Sequence, residues 1–363
     1  MSVSCGIIGL PNVGKSTLFN AITRSSVAAS NYPFCTIDPN VGIVPVPDGR
    51  LAELAQIFGS KQIVPASTRL VDIAGLVRGA SRGEGLGNAF LSHIREADAL
   101  AMIVRCFEDS NVVHVEGSPD PLRDIDTIGV ELALADLATV QRRIDKTQPR
   151  AKADAKLLPE LTALEKLRAA LDGARPARSF APQSMEAVLA KELSLLSAKP
   201  VLYVANVDEL NTQTTSARVA SVRTRATEEQ AECIVLCAKL EAELAALAPD
   251  EAAAFASDFG VQQSGLDRLI LAAYRLLDLM TFLTAGDKEA RAWTIPRGTK
   301  APEAAGTIHS DIQRGFIRAE IAAFTDLARL RSLAAVRDAG LLRVEGREYV
   351  MQEGDVVNFR FNV

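Results

Sequence analysis

Gly9-Leu-Pro-Asn-Val-Gly14-Lys15-Ser16-Thr17 follows a short apolar run and opens a helical pattern. The spacing G-x-x-x-x-G-K-[ST] between a strand and a helix is that of a P-loop. Its glycines let backbone N–H groups turn inward around phosphate oxygens, and the helix N-terminus adds a partial positive charge. Lys15 is then the group that reaches the β- and γ-phosphates of a nucleotide, and the Ser16 hydroxyl the one that ligates Mg2+. Asn12, Val13, Gly14, Lys15, Ser16 and Thr17 are the nucleotide-binding candidates of this turn. A P-loop commits its surroundings to an α/β class with a mostly parallel sheet, because a strand–turn–helix unit needs further parallel strands to cover it.

The rest of the chain fits that frame. Its 363 residues exceed a typical single domain, so two or three are expected. Strand patterns at Ser4 to Gly9, Arg69 to Ile73 and Ala99 to Cys106 alternate with helical stretches, the first of them Lys15 to Thr23. From Asp124 the pattern changes to helical stripes, Val130, Leu134, Leu137 and Ile144, then Leu157, Leu161, Leu164 and Leu171. Two stripes joined by a polar loop suggest an antiparallel hairpin. Strands return at Lys199 to Asn206 and Glu232 to Cys237, so the helical part is inserted within the α/β domain. From Thr281, short alternating strands and glycine turns suggest a small α+β module. The expected division is 1–122 with 197–280, an inserted 123–196, and 281–363.

Asp72-Ile-Ala-Gly75 closes the second strand, where Asp72 suits a contact behind the Mg2+ ligands and the Gly75 amide suits a γ-phosphate. Gly79, Gly83, Gly85 and Gly87 follow within one short span, as expected of a segment that the γ-phosphate orders. Between the two phosphate motifs, Thr36 is the candidate to complete the Mg2+ shell. Its neighbour Cys35 is a candidate redox-sensitive thiol. At the end of a later strand stands Asn206-Val207-Asp208-Glu209, where guanine-specific proteins carry Asn-Lys-x-Asp. Val207 cannot cover a base as lysine does, and the longer Glu209 carboxylate is misplaced for a bidentate contact to guanine. Guanine preference should therefore be weak. Asn206 and Val207 are the candidates to contact an adenine edge and face, with Glu209 beside them and Cys237 and Ala238 supporting the base from the next strand.

With these residues in place, the chain resembles the Obg-like ATPases of the YchF family nearly end to end. The P-loop, Asn31 to Asn40, Asp72 to Ser81, Val113 to Pro121 and the Asn206 to Glu209 replacement all match. Gly306 to Asp311, Gly315 to Glu320 and the closing Glu353-Gly-Asp-Val resemble that family's TGS domain. The resemblance implies a G domain with a helical coiled-coil insertion, ATP preferred over GTP, Mg2+ dependence, and binding to the ribosome or its large subunit. Leu76 stands where many small GTPases carry a water-orienting glutamine. His93 matches the family position proposed to substitute for it, as the catalytic candidate. Asn12 matches a P-loop asparagine associated with K+ in related proteins.

A net charge of −5 excludes a strongly basic nucleic-acid binder. Charge is nonetheless concentrated at Arg142 to Lys156, where Arg142, Arg143, Lys146, Arg150, Lys152 and Lys156 face only Asp145 and Asp154. That tip reads as a solvated loop or as an rRNA phosphate contact. The C-terminal module carries 12 Lys and Arg against 11 Asp and Glu, so any RNA contact there needs a local patch. Neither a membrane nor DNA is an expected partner: no apolar run approaches the roughly 20 residues of a span, and no secretory leader is visible. Cys5, Cys35, Cys106, Cys233 and Cys237 form no metal-like pairing and read as reduced thiols of a cytosolic protein. His114 and His309 read as turn or capping residues, and Trp293 as core. Two further functions compete with a nucleotide switch: a GTPase of relaxed base choice, and a ribosome-binding module whose hydrolysis is incidental.

Overall fold

The structure, a computed structural model, describes residues 3–29, 40–73, 86–115, 117–208, 216–248, 251–252, 255 and 263–362. They fall into two compact units, one of Met1–Ile43 with Arg69–Ala273 and the other of Val44–Thr68 with Tyr274–Val363.

In the first unit, strands β1 (Ser4–Ile8), β2 (Val41–Pro45), β4 (Ser67–Asp72), β5 (Ala99–Arg105), β6 (Val201–Asn206) and β7 (Glu232–Leu236) form one sheet in the order β2-β4-β1-β5-β6-β7. The pairs β1/β4, β1/β5, β5/β6 and β6/β7 are all parallel. Every residue of β1, β5 and β6 is buried. That is the reason these strands are continuous apolar runs, since a parallel sheet is covered on both faces. Helix α1 (Lys15–Ala29) follows β1 and outruns its expected end at Thr23.

The inserted helices have a core of their own. Asp120 caps α4 (Pro121–Ala151) by accepting from the Arg123 N–H, with proline at the first helical position. A short turn capped by Asp154 returns the chain into α5 (Leu158–Asp172), and α6 (Met185–Glu192) lies beyond it. Val140, Ile144, Leu164, Leu167, Leu171 and Leu189 meet in one buried cluster. Val130 and Leu134, expected in that stripe, are each 41% exposed. The buried line runs instead through Ile128, Leu132, Ala133 and Asp136. Asp136 is fully buried and accepts from the Leu196 N–H (2.8 Å), the Ser197 N–H (2.8 Å) and the Ser197 hydroxyl (2.6 Å), which pins α4 to the chain entering β6. Burial raises its carboxyl above the ordinary range, and the three donors oppose that shift.

The second unit corrects the expected boundaries. Val44–Thr68, assigned by pattern to 1–122, packs here, and the C-terminal part starts at Tyr274 rather than 281. Helix α2 (Arg50–Phe58) buries Leu54 completely, and β3 (Gln62–Val64) pairs in parallel with β9 (Glu289–Pro296). Its sheet runs β11-β10-β12-β8-β9-β3, with β8 (Leu279–Ala285), β10 (Phe316–Ala323), β11 (Arg343–Glu345) and β12 (Asp355–Phe361). Ser60 Oγ donates to the Gly286 carbonyl at 2.6 Å, and Arg50 bridges Asp48 and Glu353. Gly286 and Glu353 lie more than 200 residues from the segment in sequence, so no local pattern could reveal them. Phe282, Phe316 and Phe359 form the core, with Trp293 stacked on Phe282, as expected for core aromatics. His309 caps the short helix after it by accepting from the Asp311 N–H, the expected capping role. Among the described residues, no helix is long and apolar enough to cross a membrane.

Candidate nucleotide-binding site

The chain leaves β1 and turns through Gly9–Gly14 into α1. Gly9 packs on β5 so closely that a Cβ would stand 2.9 Å from the Ile103 carbonyl oxygen. Asn12 and Gly14 take left-handed backbone, at φ 61° and 94°. The Leu18 N–H donates to the Gly14 carbonyl at 3.0 Å, which closes the first turn of α1. The N–H groups ahead of it have no intrahelical partner and carry the positive end of the helix dipole. This is an anion cradle, with the Ser16 and Thr17 side chains exposed beside it.

Lys15 is buried, and its Nζ donates to Asp72 Oδ1 at 2.7 Å. Asp72 ends β4, one strand away from β1, and its own N–H donates to the Asn40 carbonyl at 2.8 Å. Parallel register thus brings the two phosphate motifs to the carboxyl edge of the sheet. A hydroxyl and a carboxylate are hard oxygen donors, so Ser16 and Asp72 fit Mg2+ by their chemistry.

Asn206 ends β6 and is 3% exposed. Its Nδ2 donates to the Val13 carbonyl at 2.8 Å, and its Oδ1 accepts from the Ala238 N–H at 2.9 Å. One amide therefore ties the P-loop to the start of α8 (Ala238–Leu244). Gly14 leaves room for it, since a Cβ there would lie 2.2 Å from Asn206 Nδ2. Val207 is also buried, and its N–H donates to the Leu236 carbonyl at 2.9 Å. Both residues are part of the frame of the base loop, at the end of β6. Cys237 caps α8, its Sγ accepting from the Leu240 N–H at 3.4 Å.

Asn12 Nδ2 donates to the Val113 carbonyl at 3.1 Å. His93 lies in the last turn of helix α3 (Leu86–Glu96) with its side chain exposed. Thr36, Cys35, Gly75, Leu76 and Glu209 lie outside the described residues. Burial pushes the Cys5 and Cys106 thiols up to about 12 and Cys233 to about 11, as expected of inert reduced thiols.

In the segment after β5, sequence reasoning gave Arg105 no role and read His114 only as a turn or capping residue. Arg105, 1% exposed at the end of an otherwise apolar strand, donates to the carbonyls of Phe107, Asp109 and Val112. His114, read as a turn residue, is buried with Nε2 2.9 Å from Asp124 Oδ2 in the first turn of α4. An arginine ending a buried strand was the visible signal.

Comparison with known proteins bears on the family and the fold. A family model described as a 50S ribosome-binding GTPase matches residues 4–135, and the C-terminal model of the YchF GTPases, described as a protein of unknown function, matches 279–362. The chain is 52% identical to a Bacillus subtilis protein named ribosome-binding ATPase YchF, and 47% identical to an Escherichia coli protein of the same name, in both cases across 100% of each chain. The solved YchF GTPase of Schizosaccharomyces pombe superposes with a TM-score of 0.89 at 36% identity, over 99% of this chain and 98% of that one. This chain belongs to the YchF family.

Proposed function

We propose that this chain is a Mg2+-dependent ATP hydrolase, preferring ATP to GTP, that acts in the cytoplasm as a nucleotide switch on the ribosome or its large subunit. The observation that carries the reading is the buried Lys15–Asp72 pair beside an anion cradle braced by Asn206. The backbone N–H groups of residues 12–17 hold the β-phosphate, and Lys15 turns its ammonium to the β- and γ-phosphates. The Ser16 hydroxyl, with Thr36, would hold Mg2+, and Asp72 would support those ligands. When bound, that ion supplies positive charge to the phosphate oxygens as the bond breaks. The Gly75 amide senses the γ-phosphate. No lysine covers the base, because Val207 stands in its place, and Glu209 is too long to bind guanine as aspartate does; both features favour ATP.

Leu76 cannot orient a water, so His93, exposed on α3, is proposed for that role and turnover is slow without a stimulating partner. Asn12 has its Nδ2 on Val113, and its Oδ1 is proposed as a ligand for K+. The bacterial relatives named ribosome-binding ATPases support the ribosomal partner. The exposed Arg142, Lys146, Arg150, Lys152 and Lys156 supply cations for rRNA phosphates, whereas Arg143 pairs with Glu160 and Glu192.

Titration with fluorescent ATP and GTP analogues, Mg2+ and K+ present, tests the base choice. Tighter ATP binding supports it, and tighter GTP binding returns the chain to the ordinary GTPases. The exposed basic tip favours one second reading, a ribosome-binding module with incidental hydrolysis. A Lys15→Ala variant that binds ribosomes as fully as wild type, whatever the nucleotide, would favour that module.

A further inference from the structure

We propose that the second unit carries a binding site for a free amino acid with a large apolar side chain, in the cavity where strands β8 and β12 part. The site is independent of the ATPase reading, since every residue that builds it belongs to Val44–Thr68 or Tyr274–Val363.

The two strands run parallel and start out joined. The Gly354 N–H donates to the Thr281 carbonyl at 3.0 Å, and Val356 stands opposite Leu283. Beyond that register they separate. β8 ends at Ala285 and turns back into β9, with the Gly286 N–H donating to the Glu289 carbonyl at 3.0 Å. β12 instead continues to Phe361, paired on its other side with β10. The turn leaves a cavity of about 460 Å³ beside the last residues of β12. Trp293, Ile308, Ile312, Phe359 and Phe361 supply its apolar wall. Interiors pack as densely as organic crystals, whereas a space of roughly 300–1,000 Å³ with such walls is what small-molecule sites offer.

The wall is preformed. Trp293 Nε1 donates to Thr284 Oγ1 at 2.9 Å, and its ring lies within 12° of parallel to Phe282. The Arg291 guanidinium sits 4.0 Å from the indole centroid. An indole held in this way needs no ordering when a ligand arrives. Phe361 is 45% exposed, and an apolar side chain in the cavity would cover part of that ring.

The charged residues along the cavity define what else the ligand carries. Glu320 is already paired with Arg360 at 2.9 Å and Arg318 at 3.5 Å, and Glu289 with Arg291 at 3.8 Å. Among the described residues, Asp287 and Lys288 have no ion pair, and both are exposed at the turn. One carboxylate and one ammonium on consecutive residues make a rim that is neutral but dipolar. A ligand with a single charge satisfies one of them and meets the other with like charge. The ammonium and carboxylate of an α-amino acid answer both, while its side chain enters the apolar gap. A nucleotide fits poorly, because its several negative charges would find Lys288 as the one unpaired cation among the described residues of the cavity.

The test follows the emission of Trp293, the single tryptophan of the sequence, in the full-length protein. Three probes share one aromatic body: L-phenylalanine, hydrocinnamate, which lacks the ammonium, and phenethylamine, which lacks the carboxylate. Expected is a saturable change with L-phenylalanine, and binding of each of the other two that is weaker by about two- to fivefold, the worth of one exposed ion pair. Lys288→Ala should weaken L-phenylalanine and hydrocinnamate by about that factor and leave phenethylamine no weaker. Asp287→Asn should weaken L-phenylalanine and phenethylamine and leave hydrocinnamate no weaker. Both positions are exposed, so neither variant threatens the fold. Phe361→Ala should weaken all three probes alike. No saturable response to L-phenylalanine, equal or tighter binding of a singly charged probe, or losses that do not follow the charge removed would overturn the proposal.

Discussion

Replacing Asn206 with leucine removes one side chain and breaks two hydrogen bonds of the site at once. Leucine fills nearly the same volume, so a cavity contributes little. The Val13 carbonyl is deprived of its donor and the Ala238 N–H of its acceptor, both supplied by a residue 3% exposed. Each buried group left unpaired costs about 1–3 kcal/mol, so the pair costs roughly 2–6 kcal/mol. A unit of this size shifts by about 2–4 °C per kcal/mol, which puts the expected fall in melting temperature at roughly 4–24 °C. Freed from Asn206, the Val13–Gly14 peptide loses its fixed orientation, and the affinity for an ATP analogue should fall at least about tenfold, the worth of one charged or buried hydrogen bond. Asn206→Asp is the control. It keeps an acceptor for Ala238 but sets a carboxylate against the Val13 carbonyl, so it should be no better than leucine. Thermal melting followed by circular dichroism and a fluorescence titration of the nucleotide read both effects. A leucine variant that melts within about 1 °C of wild type and binds ATP equally well would refute the brace.

Alkylation by iodoacetamide at pH 8 should leave Cys5 and Cys106 unmodified in the native protein, since burial holds both thiols near 12. The Cys233 rate should climb with pH toward about 11 instead of levelling near the ordinary thiol value of roughly 8.5; mapping by mass spectrometry checks this. Leu54→Ala, at a fully buried position of α2, should cost about 2–5 kcal/mol and raise hydrogen exchange within 279–361 while β1, β5 and β6 stay protected. Loss of protection in the first sheet would contradict the assignment of 44–68 to the second unit. Neutralising the exposed Lys146, Arg150 and Lys152 should flatten the salt dependence of ribosome binding, by about 0.7–0.9 in the log–log slope for each phosphate no longer neutralised. Arg143→Ala, already paired with Glu160, should leave that slope unchanged. Chelating Mg2+ should weaken ATP binding, and Asp72→Asn should shrink the difference between chelated and Mg2+-replete protein; a titration with identical affinities in both would count against a metal at Ser16 and Asp72.

The parts of this molecule that were legible in sequence are those whose partners are close in the chain or whose backbone demands are rare. Gly14 at φ 94° and the strand–turn–helix around Lys15 announce themselves, because few residue types satisfy that geometry. The parallel strands were legible as apolar runs, and the helical insertion as a change of period. Its stripe was misplaced at Val130 and Leu134 because α4 has 31 residues and buries different faces along its length. The hidden parts depend on distant partners. Nothing near Gln62–Val64 says that they pair with Glu289–Arg291. Nothing near Asn206 says that its amide bonds Val13 and Ala238 and braces the P-loop.

The Lys15–Asp72 pair explains why the P-loop and the end of β4 must act together. The two side chains are only 9% and 17% exposed, so neither charge can rely on water for its solvation. Each satisfies the other at 2.7 Å, beside the backbone cradle. Phosphate oxygens arriving at Lys15 compete with Asp72 for the ammonium. When they win, Asp72 is left a half-buried carboxylate without its cation, and removing one partner of such a pair is worth several kcal/mol. On the proposed reading, Asp72 would be one of the residues to hold a divalent cation with the nucleotide, and that ion would supply the positive charge that Lys15 gives up on turning to the γ-phosphate. On that proposed reading, nucleotide and metal would bind as one electrostatic unit, with the aspartate that closes β4 as the coupling group.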